Sequence, residues 1–103
     1  MIWDSSDHSD YRVIAYTGWR YLENYGTCED RAGVYLFANA DLHIKYVGKA
    51  GAGRIVIEID NAIRRGKSYG ATLVKALYTN SDANALSLES NLIAKYNPMN
   101  NLM

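Results

Sequence analysis

The chain has 103 residues, of which 49% are hydrophobic, and its 11 basic and 11 acidic side chains give a formal net charge of zero. This length and composition are typical of one globular domain, and the balanced charge argues against a strongly basic nucleic-acid-binding protein. No apolar run approaches the roughly 18 residues of a membrane-spanning helix, and the single cysteine, Cys28, has no disulfide partner, so we expect a cytoplasmic protein without a membrane partner.

The charges are unevenly distributed along the chain. Residues 1–30 carry two basic and six acidic side chains, and this acidic start resembles neither a secretory signal nor a transit peptide. Residues 43–75 carry seven basic against two acidic side chains. The middle third is therefore able to present a phosphate-binding face, although a mild excess of this size is more commonly ordinary solvated surface.

The N-terminal part of the chain has a helical pattern. Within residues 11–25 the apolar side chains fall near a 3.6-residue period, and Gly26 follows as a stop signal. This pattern predicts an amphipathic helix. We interpret residues 1–30 as an N-terminal extension that carries this helix and packs on a domain formed by residues 31–103.

The next segment has the pattern of a β-hairpin followed by a helix. Runs of β-branched and aromatic residues at 33–38 and 42–48 are separated by the turn-forming residues 39–41. Apolar residues at helical spacing then run from Ile55, and Gly66 ends the predicted helix.

The last third predicts a strand and a helix. The short apolar run at 73–78 predicts a third strand, and Ser81 or Asp82 caps a final helix that ends before Pro98. We therefore expect an α+β fold, with a small three-stranded antiparallel sheet flanked by helices.

One acidic side chain lies on the apolar face of the final predicted helix. Glu89 is four residues after Ala85 and four residues before Ile93, and both of these belong to the apolar stripe. A carboxylate directed at a core is costly unless it is paired, hydrogen-bonded or bound to a metal. A position at the edge of the stripe, or a buried pair with an arginine, explains Glu89 equally well, so this residue alone does not identify a site.

Several short motifs occur together in one order. A Gly-Val-Tyr motif ends at Tyr35, a Tyr-Val-Gly-Lys motif begins at Tyr46 after ten intervening residues, and a closing pattern consists of Glu89, Leu92-Ile93, Pro98 and Asn101. These motifs resemble those of the GIY-YIG nuclease family, with valine in place of isoleucine. The resemblance covers residues 33 to 101, and the order and spacing of four elements make it far more specific than one motif.

The resemblance implies a nuclease that depends on a divalent metal, Mg²⁺ or Mn²⁺, with Glu89 as the ligand. It also implies that Tyr35 lies beside the attacking water, as a base or as an orienting group, and that Tyr46 forms hydrogen bonds in the same cleft. A phenol titrates at about pH 10, so Tyr35 acts as a base only if the metal or nearby cations lower its pKa.

Other residues are expected to contact the substrate. The resemblance implies that Lys49 holds or screens the phosphate. It also implies that Asn101, or the adjacent Asn100, is the family's asparagine, which supports the site by hydrogen bonding.

The first helix of the domain departs from the family pattern. The arginine and the histidine or tyrosine that most members carry are replaced, by counting from Gly48, with Glu58 and Ala62. We expect Arg54 to contact the scissile phosphate instead, with Arg64 and Arg65 as alternatives.

Two functions follow from these observations. The first is an endonuclease that hydrolyses DNA phosphodiester bonds; with one active site, cutting both strands needs a homodimer or higher oligomer, or sequential nicks. The small size favours a phage or mobile-element protein by analogy. The second is a weak or inactive nuclease-fold domain that binds nucleic acid or inhibits another protein. An unrelated enzyme that uses His8, His43 and Cys28 is a weak third reading, because these residues lack metal-ligand or nucleophile spacing.

Overall fold

The computed structural model describes residues 1–102. Within these residues the fold is α+β, with an antiparallel sheet of five strands and two α-helices. The strands are β1 (Ala15–Tyr16), β2 (Arg20–Tyr21), β3 (Gly33–Ala38), β4 (Ile44–Ala50) and β5 (Leu73–Tyr78). The helices are α1 (Ile55–Arg64) and α2 (Asp82–Tyr96), and three short 3-10 helices cover Ser5–Ser9, Leu22–Thr27 and Met99–Leu102.

The sheet has β3 near its centre and β4 at one edge. β3 pairs with β4 on one side and with β5 on the other, and all six of its residues are buried. On the far side of β5, β1 and β2 pair one after the other along the same strand. The predicted α+β class, hairpin and third strand are confirmed, but the sheet is larger than three strands because the N-terminal segment adds β1 and β2.

The two faces of the sheet carry different parts of the core, because successive side chains of a strand point to opposite faces. The face under α1 holds Tyr35, Phe37, Val74 and Ala76. The face under α2 holds Val34, Leu36, Val47 and Leu77. Each helix therefore covers one side of the strands that carry the two family motifs.

Both helices begin and end where the sequence predicts. The carboxylate of Asp30 accepts a hydrogen bond from the N–H of Val56 (3.0 Å) at the start of α1, and Gly66 follows its end with a φ of +80°. The hydroxyl of Ser81 accepts a backbone N–H in the first turn of α2, and Asn97 ends that helix in the left-handed conformation. The helix limits therefore follow from local capping chemistry.

The predicted helix over residues 11–25 is wrong. This segment forms β1, β2 and the 3-10 helix Leu22–Thr27. The N–H groups of Ile14 and Thr17 donate to carbonyls of β5 at 2.9 and 3.0 Å. An open sheet edge offers backbone partners, and pairing with it outweighs a helical pattern that includes a glycine. The division of the chain at residue 30 stays a prediction.

The N-terminal segment also packs on α2. Trp3 and Trp19 lie against the core under α2. Lys95 of α2 forms salt bridges with Asp4 (2.9 Å) and Asp7 (2.8 Å). The segment is thus tied to the sheet through its backbone and to α2 through its side chains.

A buried lysine lies between the N-terminal segment and the sheet. Lys75 of β5 is only 2% exposed, and its ammonium group donates to the carbonyl of Thr17. The rings of Trp3, Tyr16 and Trp19 surround the ammonium group at 5.2 to 5.7 Å from their centroids. Burial lowers the pKa of Lys75 to about 8, since an ammonium group loses its hydration there.

We predict that the burial of Lys75 makes the stability of the protein change with pH in the alkaline range. The folded-state pKa of about 8 lies below the usual lysine value of 10.5, so between these values the unfolded chain binds more protons. The contribution of Lys75 to the free energy of unfolding should therefore rise with pH across this window, by about 3 kcal/mol. Urea denaturation of the wild type and of Lys75→Met at several pH values measures this rise. If the free energy of unfolding of Lys75→Met changed with pH in the same way as that of the wild type, the prediction would be contradicted.

Candidate active site

Two tyrosines from the family motifs meet on the α1 side of the sheet. Tyr35 of β3 and Tyr46 of β4 have ring centroids 6.1 Å apart, with planes inclined by 43°. Tyr35 is buried, whereas Tyr46 is partly buried and packs on the same core cluster. The hairpin register brings them together because Tyr35 lies opposite Gly48, two residues beyond Tyr46.

Gly48 leaves room for the Tyr35 ring. A Cβ atom at this position would lie 2.8 Å from Cε2 of Tyr35 and closer still to the end of the ring. Across this space, the Tyr35 hydroxyl donates to the backbone carbonyl of Glu58 in α1 at 3.3 Å. The glycine of the second motif therefore has a direct steric role in placing the tyrosine of the first.

We predict that Gly48→Ala destabilises the protein by about 1–3 kcal/mol, because the Tyr35 ring must leave its position in a packed core. Urea denaturation measures the loss. Gly26→Ala is the matched control, since a Cβ atom there meets nothing within 4 Å. Equal stability of the two variants would contradict the steric role of Gly48.

The environment of Tyr35 keeps its phenol protonated. Burial raises the pKa of Tyr35 well above its usual value, and the nearby Tyr46 and Glu58 act in the same direction. Arg65 lowers this pKa, but its effect is smaller than that of burial. The protein groups around Tyr35 therefore raise its pKa on balance, so a lowering would have to come from a bound cation.

Glu89 lies on α2, which packs against β4 and β3. Its side chain is partly buried, and burial raises the pKa of this carboxyl, while Lys49 acts in the opposite direction. Within residues 1–102 the Glu89 carboxylate enters no hydrogen bond or salt bridge, in contrast to Glu58, which is bound to Arg54. Its desolvation is therefore offset only by the charge of Lys49.

The free carboxylate of Glu89 fits a magnesium ligand. Among the described residues no group of three His, Cys, Asp or Glu side chains forms a metal cluster. Mg²⁺ keeps several water ligands and needs only one or two carboxylates, so a single glutamate is a sufficient protein ligand.

The site residues lie on both faces of the edge strand. Tyr46 faces α1, and alternation along β4 places Lys49 on the face of Val47, which is covered by α2. The tyrosine pair therefore lies on one face of the edge strand β4, and the pair formed by Glu89 and Lys49 lies on the other face.

The three arginines considered from the sequence have different surroundings. Arg54 forms a salt bridge with Glu58 (2.8 Å), one helical turn on, and Arg64 forms one with Asp60 (2.8 Å). Arg65 is the arginine whose charge acts on Tyr35. From the sequence we considered Glu58 only as a departure from the family pattern and did not predict its salt bridge with Arg54. The spacing of four residues in a helix indicates such a pair.

The side chains of Asn100 and Asn101 form hydrogen bonds with backbone groups of other segments. The Asn101 side chain accepts from the N–H of Val47 and donates to its carbonyl, both at 2.9 Å, so it continues the hydrogen-bonding pattern of β4. Asn100 is buried and donates to the carbonyls of Lys67 and Tyr69, both at 2.8 Å. Asn101 thus supports the strand that carries Tyr46 and Lys49, while its assignment to substrate binding stays a prediction.

The fold is similar to that of solved nuclease domains. The GIY-YIG N-terminal endonuclease domain of UvrC from Thermotoga maritima, bound to magnesium as its catalytic cation, matches with a TM-score of 0.65 and 24% identity, over 76% of this chain and 91% of that one. Two point mutants of that domain, with an asparagine replaced by alanine and a tyrosine replaced by phenylalanine, match with TM-scores of 0.65 and 0.64. Both are 24% identical over 76% of this chain and 90% of theirs.

These matches define a GIY-YIG endonuclease fold. A family model described as the UvrC-like GIY-YIG domain matches residues 31–102, which is more than half of the chain. The chain therefore belongs to the family of UvrC-like GIY-YIG domains. No curated protein sequence matches it. Within residues 1–102, no helix combines the length and the apolar character needed to cross a membrane.

Proposed function

We propose that this protein is a Mg²⁺-dependent endonuclease that hydrolyses phosphodiester bonds in DNA. The observation that carries the proposal is Glu89, a partly buried carboxylate that has no hydrogen bond or salt bridge with any of residues 1–102 and that feels the charge of Lys49. An unpaired carboxylate in such a place is costly, and a bound cation removes that cost. Membership of the GIY-YIG family supports the same function.

Glu89 would hold the cation at the edge of the sheet, and Lys49 would contact the phosphate beside it. When bound, Mg²⁺ supplies positive charge that stabilises the phosphoryl oxygens in the transition state and makes the attacking water more acidic. Lys49 adds a second positive charge on the same face. The arginines at the ends of α1 are further phosphate contacts, and the charge of Arg65 acts on Tyr35 of the tyrosine pair.

The two tyrosines would have different roles. Tyr35 stays protonated because burial raises its pKa, so it orients the site and does not remove a proton. Tyr46 is the partly exposed member of the pair, so its hydroxyl would be the one that contacts a water. We therefore assign the orientation of the attacking water to Tyr46.

The proposal is tested by incubating supercoiled plasmid with the full chain and Mg²⁺. We expect relaxed product with Mg²⁺ and none with EDTA. Replacing Mg²⁺ with Mn²⁺ shows whether the site also accepts this other divalent cation. An unchanged plasmid at every Mg²⁺ concentration would overturn the proposal.

A weak or inactive nuclease-fold domain is the second candidate function. The observation in its favour is that Glu58 binds Arg54 and that Ala62 is buried, so α1 offers no free counterpart of the usual family residues at these positions. DNA binding without any cleavage in the plasmid assay would favour this reading.

A second copy of the chain is the proposed route to double-strand cleavage. One site cuts one strand, so a monomer should produce nicked circles before linear DNA. Analytical ultracentrifugation with and without DNA shows whether a dimer forms. We place this activity in the cytoplasm of a bacterial cell or a phage-infected host.

A further inference from the structure

A cavity of about 570 Å³ lies beside the C-terminal end of α1. Its wall is largely apolar and includes Tyr21, Leu22, Tyr25 and Ile63. Glu23 contributes a carboxylate to the wall. Tyr21 is 65% exposed, which is unusual for a large ring that has an apolar recess beside it. The volume is in the range of pockets that bury a small organic ligand.

The cavity is linked to the tyrosine pair through α1. Tyr25 donates a hydrogen bond to Asp60 (2.7 Å), and Asp60 forms a salt bridge with Arg64 (2.8 Å). The next residue, Arg65, is the one whose charge acts on Tyr35. Since β2 and β4 are separated by three strand spacings, the cavity lies about 14 Å from the edge strand, a distance of a few nucleotides.

The charges around the cavity favour one part of a nucleotide over another. Arg64 and Arg65, which follow Ile63 of the cavity wall in the chain, are exposed and attract phosphates. Inside the wall, Glu23 repels a phosphate but accepts hydrogen bonds from the amino group of a base. Aromatic rings in an apolar wall stack on a flat base whatever its sequence.

From these observations we infer that the cavity binds an unpaired nucleobase of the DNA substrate, a few nucleotides from the cleavage site. The inference rests on the proposed function for the choice of DNA as the ligand. It makes duplexes with a bulged or extruded base the preferred substrate class, because a paired base has to leave its stack before it enters the cavity.

The test is a binding measurement with the full-length Glu89→Gln variant, which does not consume the DNA. The probes are a fully paired duplex and the same duplex with one bulged 2-aminopurine, and the dissociation constants come from fluorescence anisotropy. We expect the bulged duplex to bind roughly 10-fold more tightly and its 2-aminopurine fluorescence to be quenched by stacking.

Variants of the wall locate the binding site. Tyr21→Ala should remove most of the preference without changing the affinity for the paired duplex, and Tyr21→Phe should retain it. Ala71→Leu, which narrows the cavity from another part of its wall, should also reduce the preference. Tyr11→Ala is the matched control, because Tyr11 is 85% exposed and lies outside the cavity.

Equal binding of the two duplexes, or a preference that survives Tyr21→Ala, would overturn the inference. The two proposals fail separately, because this assay needs no cleavage. A bulge preference without plasmid nicking removes only the proposed endonuclease function, and nicking without a bulge preference removes only the base pocket.

Discussion

Replacing Glu89 with glutamine should reduce Mg²⁺-dependent DNA cleavage by roughly 10³-fold. Glutamine keeps the size of the side chain but removes the charge that would hold the cation, and a metal contributes several kcal/mol to transition-state stabilisation. The measurement is the initial rate of plasmid nicking at saturating Mg²⁺. Glu29→Gln, which also removes one negative charge but at an exposed position, is the control. Similar rates for Glu89→Gln and the wild type would contradict the assignment of Glu89 as the metal ligand.

The same side chain should make the Mg²⁺ requirement depend on pH. The ionised carboxylate would be the ligand, and burial raises the pKa of Glu89 above the usual glutamate value of 4.5. Protons therefore compete with Mg²⁺ at a higher pH than at an ordinary glutamate, and the Mg²⁺ midpoint should rise as the pH falls from about 8 to about 5. Lys49→Met should make the Mg²⁺ midpoint depend more strongly on pH, because the charge of Lys49 lowers the pKa of Glu89. A midpoint that is constant over this range would contradict it.

Short-range patterns in the sequence predicted the parts of the fold that local chemistry determines. The β-branched and aromatic runs on either side of residues 39–41 predicted the hairpin that brings Tyr35 and Tyr46 together, and the caps predicted the limits of both helices. The apolar stripe on α2 was predicted less accurately. The sequence pattern also placed Leu86 in the stripe, but Leu86 is 52% exposed and Leu88 is in the core instead. Glu89 is nevertheless partly buried, as its place on that face indicated.

Contacts between distant parts of the chain were not predictable in this way. The rings that surround Lys75 come from a segment more than fifty residues earlier, and no local period shows that this segment pairs with β5. The two hydrogen bonds between Asn101 and Val47 also join residues that are far apart in the sequence. A pattern reports which face of an element is apolar, but not which other segment covers that face.

The two tyrosine-to-phenylalanine variants should separate the roles of the tyrosine pair. Tyr46→Phe removes the partly exposed hydroxyl that we assign to the attacking water, and it should lower the cleavage rate by roughly 10²-fold with little change in stability. Tyr35→Phe removes a buried hydroxyl that donates to the carbonyl of Glu58, so it should cost about 1 kcal/mol of stability and lower the rate much less. Nicking rates and urea denaturation of the two variants measure both effects.

The reverse result would reassign the chemistry to the buried tyrosine. If Tyr35→Phe lost more activity than Tyr46→Phe, its phenol would have to reach the water after the site rearranges around DNA. The alkaline limb of the pH–rate profile distinguishes this case. A base at Tyr35 requires the rate to keep rising towards the raised pKa of that phenol, whereas an orienting, protonated Tyr35 requires no such rise. The burial of Tyr35 against Gly48 and α1 favours the second outcome.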